Sequence, residues 1–289
     1  MTVVIKAGDY QATLVEQGAG LAGLTSDGLD LVVPHDPAVE PLGYSGKVLT
    51  PWPNRITDGT YRWEGETLSV PINETVTQSA LHGLRCWDHW EVLSRTDDSV
   101  TFRTEIEPTS GYPFHVETTA TYSLDPETGL SITVATTNLG EVDAPYGTSI
   151  HPYLTCGTSV DDAVLTSPAA TVLEVDERLS PLKLVEVEGT RFDLRGGAPM
   201  KDRQIDHAFT DLPEGTWQVV LRDPVSGRGV ELSSDHPWLQ IYSGEILDRR
   251  GVAVEPMTCP PNAFNSGTDV IVLQPGETHS FHAAIRRAD

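Results

Sequence analysis

The stretch "HVETTATYSLDPETGLSITVATTNL", His115 to Leu139, decides the fold class. Apolar and polar side chains alternate with a period of two on either side of Asp125 to Gly129, which supplies the turn, so the segment reads as an antiparallel hairpin. The same pattern recurs in "TYRWEGETLSV" with Glu64-Gly65 at its bend, and in "WEVLSRTDDSVTFRTEI" around Asp97-Asp98. No window of a dozen residues carries an apolar stripe of helical period, and the 25 Gly and 21 Pro are dispersed as turns instead of being gathered into a linker. The expectation is an all-β chain, a single large antiparallel β-sandwich or barrel over residues 1–289, with no internal repeat or low-complexity tract.

Composition narrows the partners. Lys+Arg 19 against Asp+Glu 42 gives a formal net charge of -23, which repels nucleic acid and anionic membrane and leaves a small ligand as the expected partner. "MTVVIKAGDYQATL" has no basic head before an apolar run, and no later stretch reaches the ~18 apolar residues of a membrane span, so a soluble, cytoplasmic protein is expected. Cys86, Cys156 and Cys259 are odd in number and form no C-x-x-C pair, as expected of reduced, buried thiols, and in that compartment the sequon Asn73-Glu74-Thr75 stays unmodified. "GAGLAG", Gly18 to Gly23, satisfies a dinucleotide pattern but runs into "LTSDGLDLVV", turn and strand where that pattern needs a helix. A serine-hydrolase elbow is absent, since Gly147-Thr148-Ser149-Ile150 lacks the second glycine.

Four segments break the hairpin monotony with polar residues in constrained settings: "PWPNRITDG" from Pro51, "ALHGLRCW" from Ala80, "PYGTSIHPYL" from Pro145 and "AVEPMTCPPNAF" from Ala253; "QIDHAFTDL" from Gln204 is a weaker fifth. Glu255 stands out, because a carboxylate that ends an apolar, strand-like run is costly to bury without a compensating role. A histidine titrating near neutrality and a glutamate tuned by its surroundings form a natural acid and base pair, and His151 is the partner in view. A metal site of the cupin kind, built from His82, His89, His151, His207 and Glu255, has no close ligand spacing on one strand to support it.

Taken in order, Asn54-Arg55, His82-Gly83, His151-x-Tyr153, Asp206 and Glu255 resemble the motifs of the aldose 1-epimerases, or galactose mutarotases, over about Ala19 to Phe281. The resemblance implies a galactose mutarotase-like supersandwich with a sugar cleft on one curved sheet, and an isomerase that interconverts the α and β anomers of a hexose or hexose derivative. It further implies His151 as general acid, Glu255 as general base, and Arg55, His82, Asp206, Gln240, Asn54 and Tyr153 as substrate-binding groups, with no cofactor and no metal. "PWPNRI", "HGL", "GYPF", "HPYL" and "EPMTCPPNAF" are most similar to a bacterial branch that includes sulfoquinovose mutarotases, so the expected sugar is an aldohexose or a sulfoquinovose-like one and the assembly a monomer or homodimer. Trp52, Trp87, Tyr153 and Tyr242 are the candidates for an aromatic platform, and Arg85 or Arg178 for a cation facing an anionic sugar. Three rivals remain open at this point: a catalytically silent carbohydrate-binding sandwich, a hexose-6-phosphate 1-epimerase, and a glycoside hydrolase using Asp206 and Glu255.

Overall fold

The computed structural model describes residues 1–288. Its deciding hairpin pairs Val116–Asp125 with Gly129–Asn138 in unbroken register, Val116 opposite Asn138 and Asp125 opposite Gly129. Asp125 Oδ1 closes the turn by accepting from the backbone N–H groups of Glu127 at 2.9 Å and Thr128 at 2.8 Å, the local hydrogen bonding that favours aspartate here. Gly129 has φ 83°, and a Cβ there would fall 2.6 Å from the Ile285 carbonyl oxygen, so this turn requires glycine.

The hairpin supplies the third and fourth strands of a nine-stranded antiparallel sheet, in the order Glu91–Arg95, Ser99–Ile106, Val116–Asp125, Gly129–Asn138, Thr278–Ala288, Gly229–Ser234, Trp217–Arg222, Val164–Thr166 and Ala198–Pro199. An eight-stranded sheet lies against it, in the order Pro181–Glu186, Thr171–Val175, Asp206–Thr210, Trp238–Tyr242, Val252–Met257, Ser149–Ile150 and Val48–Leu49, with Tyr153–Leu154 also on Val252–Met257. Phe102, Ala120, Tyr122, Val134 and Phe281 from the first sheet share one core with Ile150, Val172, Phe209, Leu239, Ile241, Val252 and Val254 from the second. The four-stranded N-terminal sheet adds Ile5, Leu14, Leu21 and Leu24 to that core. Burying each such side chain contributes about 1.5–3 kcal/mol, so the alternation read in the sequence is what brings the two sheets face to face.

"GAGLAG" straddles the bend into the strand Gly20–Ser26, and all three cysteines are buried, with their thiols raised above the ordinary range first by desolvation. Among the described residues no helix is long and apolar enough to cross a membrane. A second cluster, Trp52, Ile56, Tyr61, Tyr112, Phe114 and Phe264, anchors the segments that carry Arg55 and His82. Trp52 is committed there, packed on Phe264 at 5.9 Å with its N–H donated to the Ala80 carbonyl, which removes it as a sugar platform.

Candidate active site

The strand Val252–Met257 is buried along its whole length. Val252 and Val254 turn into the inter-sheet core, so the period of two sends Glu255 to the opposite face. Gln240 lies directly across from Glu255, and Ala208 lies across from Gln240, which puts Asp206 one pleat along on the same face. His151 sits in the crossing between Ser149–Ile150 and Tyr153–Leu154, both of which pair with Val252–Met257. Its backbone is tied on each side, donating to the Lys47 carbonyl at 3.0 Å and accepting from Gly46 N–H at 2.8 Å.

Arg55 and His82 arrive on a separate two-stranded ladder in which Arg55 opposes Leu81. Asn54 and His82 cap it in the left-handed region, φ 54° and 62°, where His82 N–H donates to Asn54 O at 2.8 Å and Asn54 N–H donates to His82 Nδ1 at 3.2 Å. The next residue, Gly83, has φ 78°, and a Cβ there would fall 2.1 Å from the Thr50 carbonyl oxygen. Gly83→Ala is therefore expected to destabilise the fold by more than about 2 kcal/mol and to displace His82. A urea melt checks this, and a midpoint equal to wild type would contradict it.

Around these backbones the side chains converge. His151 Nε2 lies 3.3 Å from Glu255 Oε1, with the two side chains only 6 % and 2 % exposed. Burial pushes the Glu255 carboxyl well above its usual range, reinforced by the Asp206 charge and opposed by Arg55. Burial likewise lowers His151 from 6.5 to about 3. The sequence expectation of a histidine titrating near neutrality is thus overturned by desolvation, and the pair shares one proton that burial places on Glu255. Glu255 Oε2, His151 Nδ1 and Gln240 Oε1 are buried without a hydrogen-bond partner among the described residues, three polar atoms of one cluster.

Arg55 is buried, and its fork is shared. Nε and Nη2 donate to Glu74 at 2.7 and 2.9 Å, Nη1 donates to Asn54 Oδ1 at 3.3 Å, and Asp206 Oδ2 lies 3.9 Å from Nη2. Gln240 Nε2 donates to Asp206 Oδ1 at 2.6 Å. Because His82 Nδ1 accepts the Asn54 N–H, its proton resides on Nε2, making it a donor; burial holds the ring neutral by pushing its pKa well below 6.5. Ligand atoms of His82, His151 and Glu255 fall within 4.8 Å of one another, the convergence that the histidine count raised. A protonated Nε2 on His82 and the neighbouring Arg55 charge suit hydrogen bonding and proton exchange better than a cation. His89 is exposed and His207 packs on Phe192 at 4.6 Å, so neither joins the cluster.

Of the expected sugar contacts, Arg55, His82, Asp206 and Gln240 come together with His151 and Glu255, whereas Asn54 and Tyr153 support them from behind. Asn54 Oδ1 accepts from Arg55, and Tyr153 stacks on His151 at 5.1 Å and donates its hydroxyl to the Gly43 carbonyl at 3.1 Å. Tyr44 and Glu74 were missed by sequence reasoning. Tyr44, half-buried, lies over His151 at 6.4 Å, meets the His82 edge at 4.6 Å and touches Trp87 at 4.9 Å, so the partly exposed aromatic wall is Tyr44 with Trp87, while Tyr242 packs edge-on against Tyr153 at 6.2 Å. The only local hint of Tyr44 is its place between Gly43 and Gly46; Glu74 was visible only as the middle of a sequon. Arg85 and Arg178 are paired with Asp88 and Asp58, each at 2.6 Å. A groove of about 1020 Å³ runs past Asp30, Thr155 and Arg228 and contains none of the converging groups.

The chain resembles known proteins in sequence and in fold. The aldose 1-epimerase family model matches residues 1–286. The uncharacterized protein YihR of Escherichia coli K12 is 46% identical over 279 residues, covering 96% of this chain and 90% of its own. Galactose mutarotase of Mus musculus is 27% identical over 267 residues, covering 82% of this chain and 77% of its own. The crystal structure of the GalM/aldose epimerase homologue from C. elegans superposes with a TM-score of 0.89 at 23% identity, covering 100% of this chain and 99% of that one, a likeness of fold. The chain belongs to the aldose 1-epimerase family.

Proposed function

We propose that the protein is a cofactor-independent aldose 1-epimerase acting on a hexopyranose or a derivative of one, with Glu255 as general base and His151 as general acid. The observation that carries this reading is the buried His151–Glu255 contact at 3.3 Å, set among Arg55, His82, Asp206 and Gln240. Glu255 takes the proton of the anomeric hydroxyl while His151 gives one to the ring oxygen. The C1–O5 bond breaks, C1 becomes an aldehyde, rotation about C1–C2 presents its other face, and closure returns both protons. The pair must enter with its shared proton on His151, and sugar hydroxyls that hydrogen-bond Glu255 Oε2 favour that distribution by stabilising the carboxylate.

Recognition falls on hydroxyls away from C1. Arg55 and His82 donate, Asp206 accepts, and Gln240 offers its unpartnered oxygen as an acceptor. Tyr44 and Trp87 supply a face for the C–H groups of the ring. A pure binding module needs hydroxyl partners but no buried acid and base in contact, which favours catalysis over the silent sandwich. A 6-phosphate reading calls for cations free to meet the phosphate beside the His151–Glu255 pair, and Arg55 there is engaged by Glu74.

Background-subtracted NMR exchange between anomers of glucose, galactose and sulfoquinovose tests the reading. Acceleration is expected for at least one sugar, and the fastest identifies the substrate; no acceleration for any of them, with sugar binding intact, would leave the silent sandwich in its place.

A further inference from the structure

The segment Ile72 to Gln78 is an irregular strap across the ladder that carries Arg55. Thr75, Val76 and Gln78 face solvent, Val76 almost completely, so no apolar packing of these three holds the strap down. Polar bonds do so instead. The Asn73 side chain bonds both Leu81 N–H, at 2.6 Å, and Leu81 O, at 2.9 Å; Glu74 and Ser79 exchange two backbone bonds of 3.1 Å; and Arg178 Nε donates to Thr77 O at 3.0 Å. All of these bonds fix one carboxylate. Glu74 accepts from Arg55 Nε and Nη2 and from the Thr77 hydroxyl.

We propose that Glu74 is a positioning residue for catalysis, which holds the Arg55 fork so that its remaining N–H groups point between Asn54 and Asp206 to receive a sugar hydroxyl. The inference rests on the epimerase reading. Arginine has five N–H donors in a rigid plane; Glu74 takes one on Nε and one on Nη2, and Asn54 takes one on Nη1. One donor on each terminal nitrogen is left, and the bidentate grip on the other edge, with Asn54 on Nη1, sets where they point. Glu74 also balances the Arg55 charge. Arg55 acts on both His151 and Glu255, favouring loss of a proton from each, and an uncompensated Arg55 would do so more strongly.

The test compares wild type with Glu74→Gln, Glu74→Asp and Thr77→Val by anomer exchange with the sugar that wild type turns over fastest. For Glu74→Gln, KM is expected to rise about tenfold with kcat within about threefold, because ground-state and transition-state binding of the same hydroxyl are lost together. Its alkaline limb should move down by about half a pH unit as Glu255 gives up its proton more readily, a shift that a merely structural role would not cause. Glu74→Asp should recover part of the KM, and Thr77→Val, which removes only the hydroxyl bond, should fall between. A KM within about twofold of wild type in folded Glu74→Gln, or a fall in kcat alone, would overturn the proposal. Should Glu74→Gln fail to fold, the KM of Thr77→Val decides in the same way. If wild type accelerates no sugar, the epimerase reading fails by itself, and NMR titration with glucose and galactose then decides on Glu74: about tenfold weaker binding in Glu74→Gln sustains the positioning role, and equal binding ends it.

Discussion

Glu255→Gln is expected to reduce anomer exchange by about a thousandfold while making the folded protein more stable at neutral pH. The loss follows from the proposed mechanism, in which Glu255 takes the anomeric proton: glutamine fills nearly the same volume and keeps a hydrogen bond to His151 but accepts no proton. The gain follows from burial. Glu255 is 2 % exposed, and its folded pKa stands well above 4.5, so between 4.5 and that raised value the folded chain keeps a proton that the unfolded chain has released. Wild-type stability therefore falls as pH climbs through this window, by up to about 1.4 kcal/mol for each pH unit, and glutamine has no such slope. Thermal melts of both proteins from pH 4.5 to 8 should start close together and separate as pH rises. Melting temperatures that run parallel across that range would mean that Glu255 is ionised in the resting fold.

The fold was legible in the sequence because its signal is local. In Val116–Asp125 every second residue is buried, and Asp125 and Gly129 carry the turn chemistry in place, so alternation and turn agree without reference to the rest of the chain. The strand Val252–Met257 was legible for the opposite reason: an apolar run broken by one carboxylate violates its own pattern, and Glu255 is the residue on which the cluster is built. Other groups depend on contacts that no local window contains. Glu74 and Arg55 are 19 residues apart and meet only because the Arg55–Leu81 ladder folds the strap back, while Tyr44 reaches His151 across 107 positions of chain (151 − 44). Trp52 shows the converse error, since proximity in sequence to the motifs made it a platform candidate and the fold turned it into a second core, while Asn54 lies beside the guanidinium and accepts from Arg55. His151 illustrates a quantity that sequence reading cannot supply: its pKa is set by how completely the surrounding chain excludes water.

His151→Asn is expected to slow anomer exchange by about 10²–10⁴-fold and to change stability on the other side of neutrality. His151 is held neutral down to about pH 3, whereas an unfolded histidine protonates near 6.5. Between these values the unfolded chain binds a proton that the folded chain refuses, so wild-type stability is lost as pH falls from 6.5 toward 3, by up to about 1.4 kcal/mol for each pH unit. Asparagine takes up no proton, so the variant should resist acid better than wild type, with the difference opening below 6.5, where Glu255→Gln shows its own effect above 4.5. A variant that unfolds in acid alongside wild type would show that His151 is charged in the fold. Because the proposed mechanism has the two side chains, in contact at 3.3 Å, act on one shared proton, the double variant should be little slower than either single one, and losses that multiply would mean that they work in separate steps.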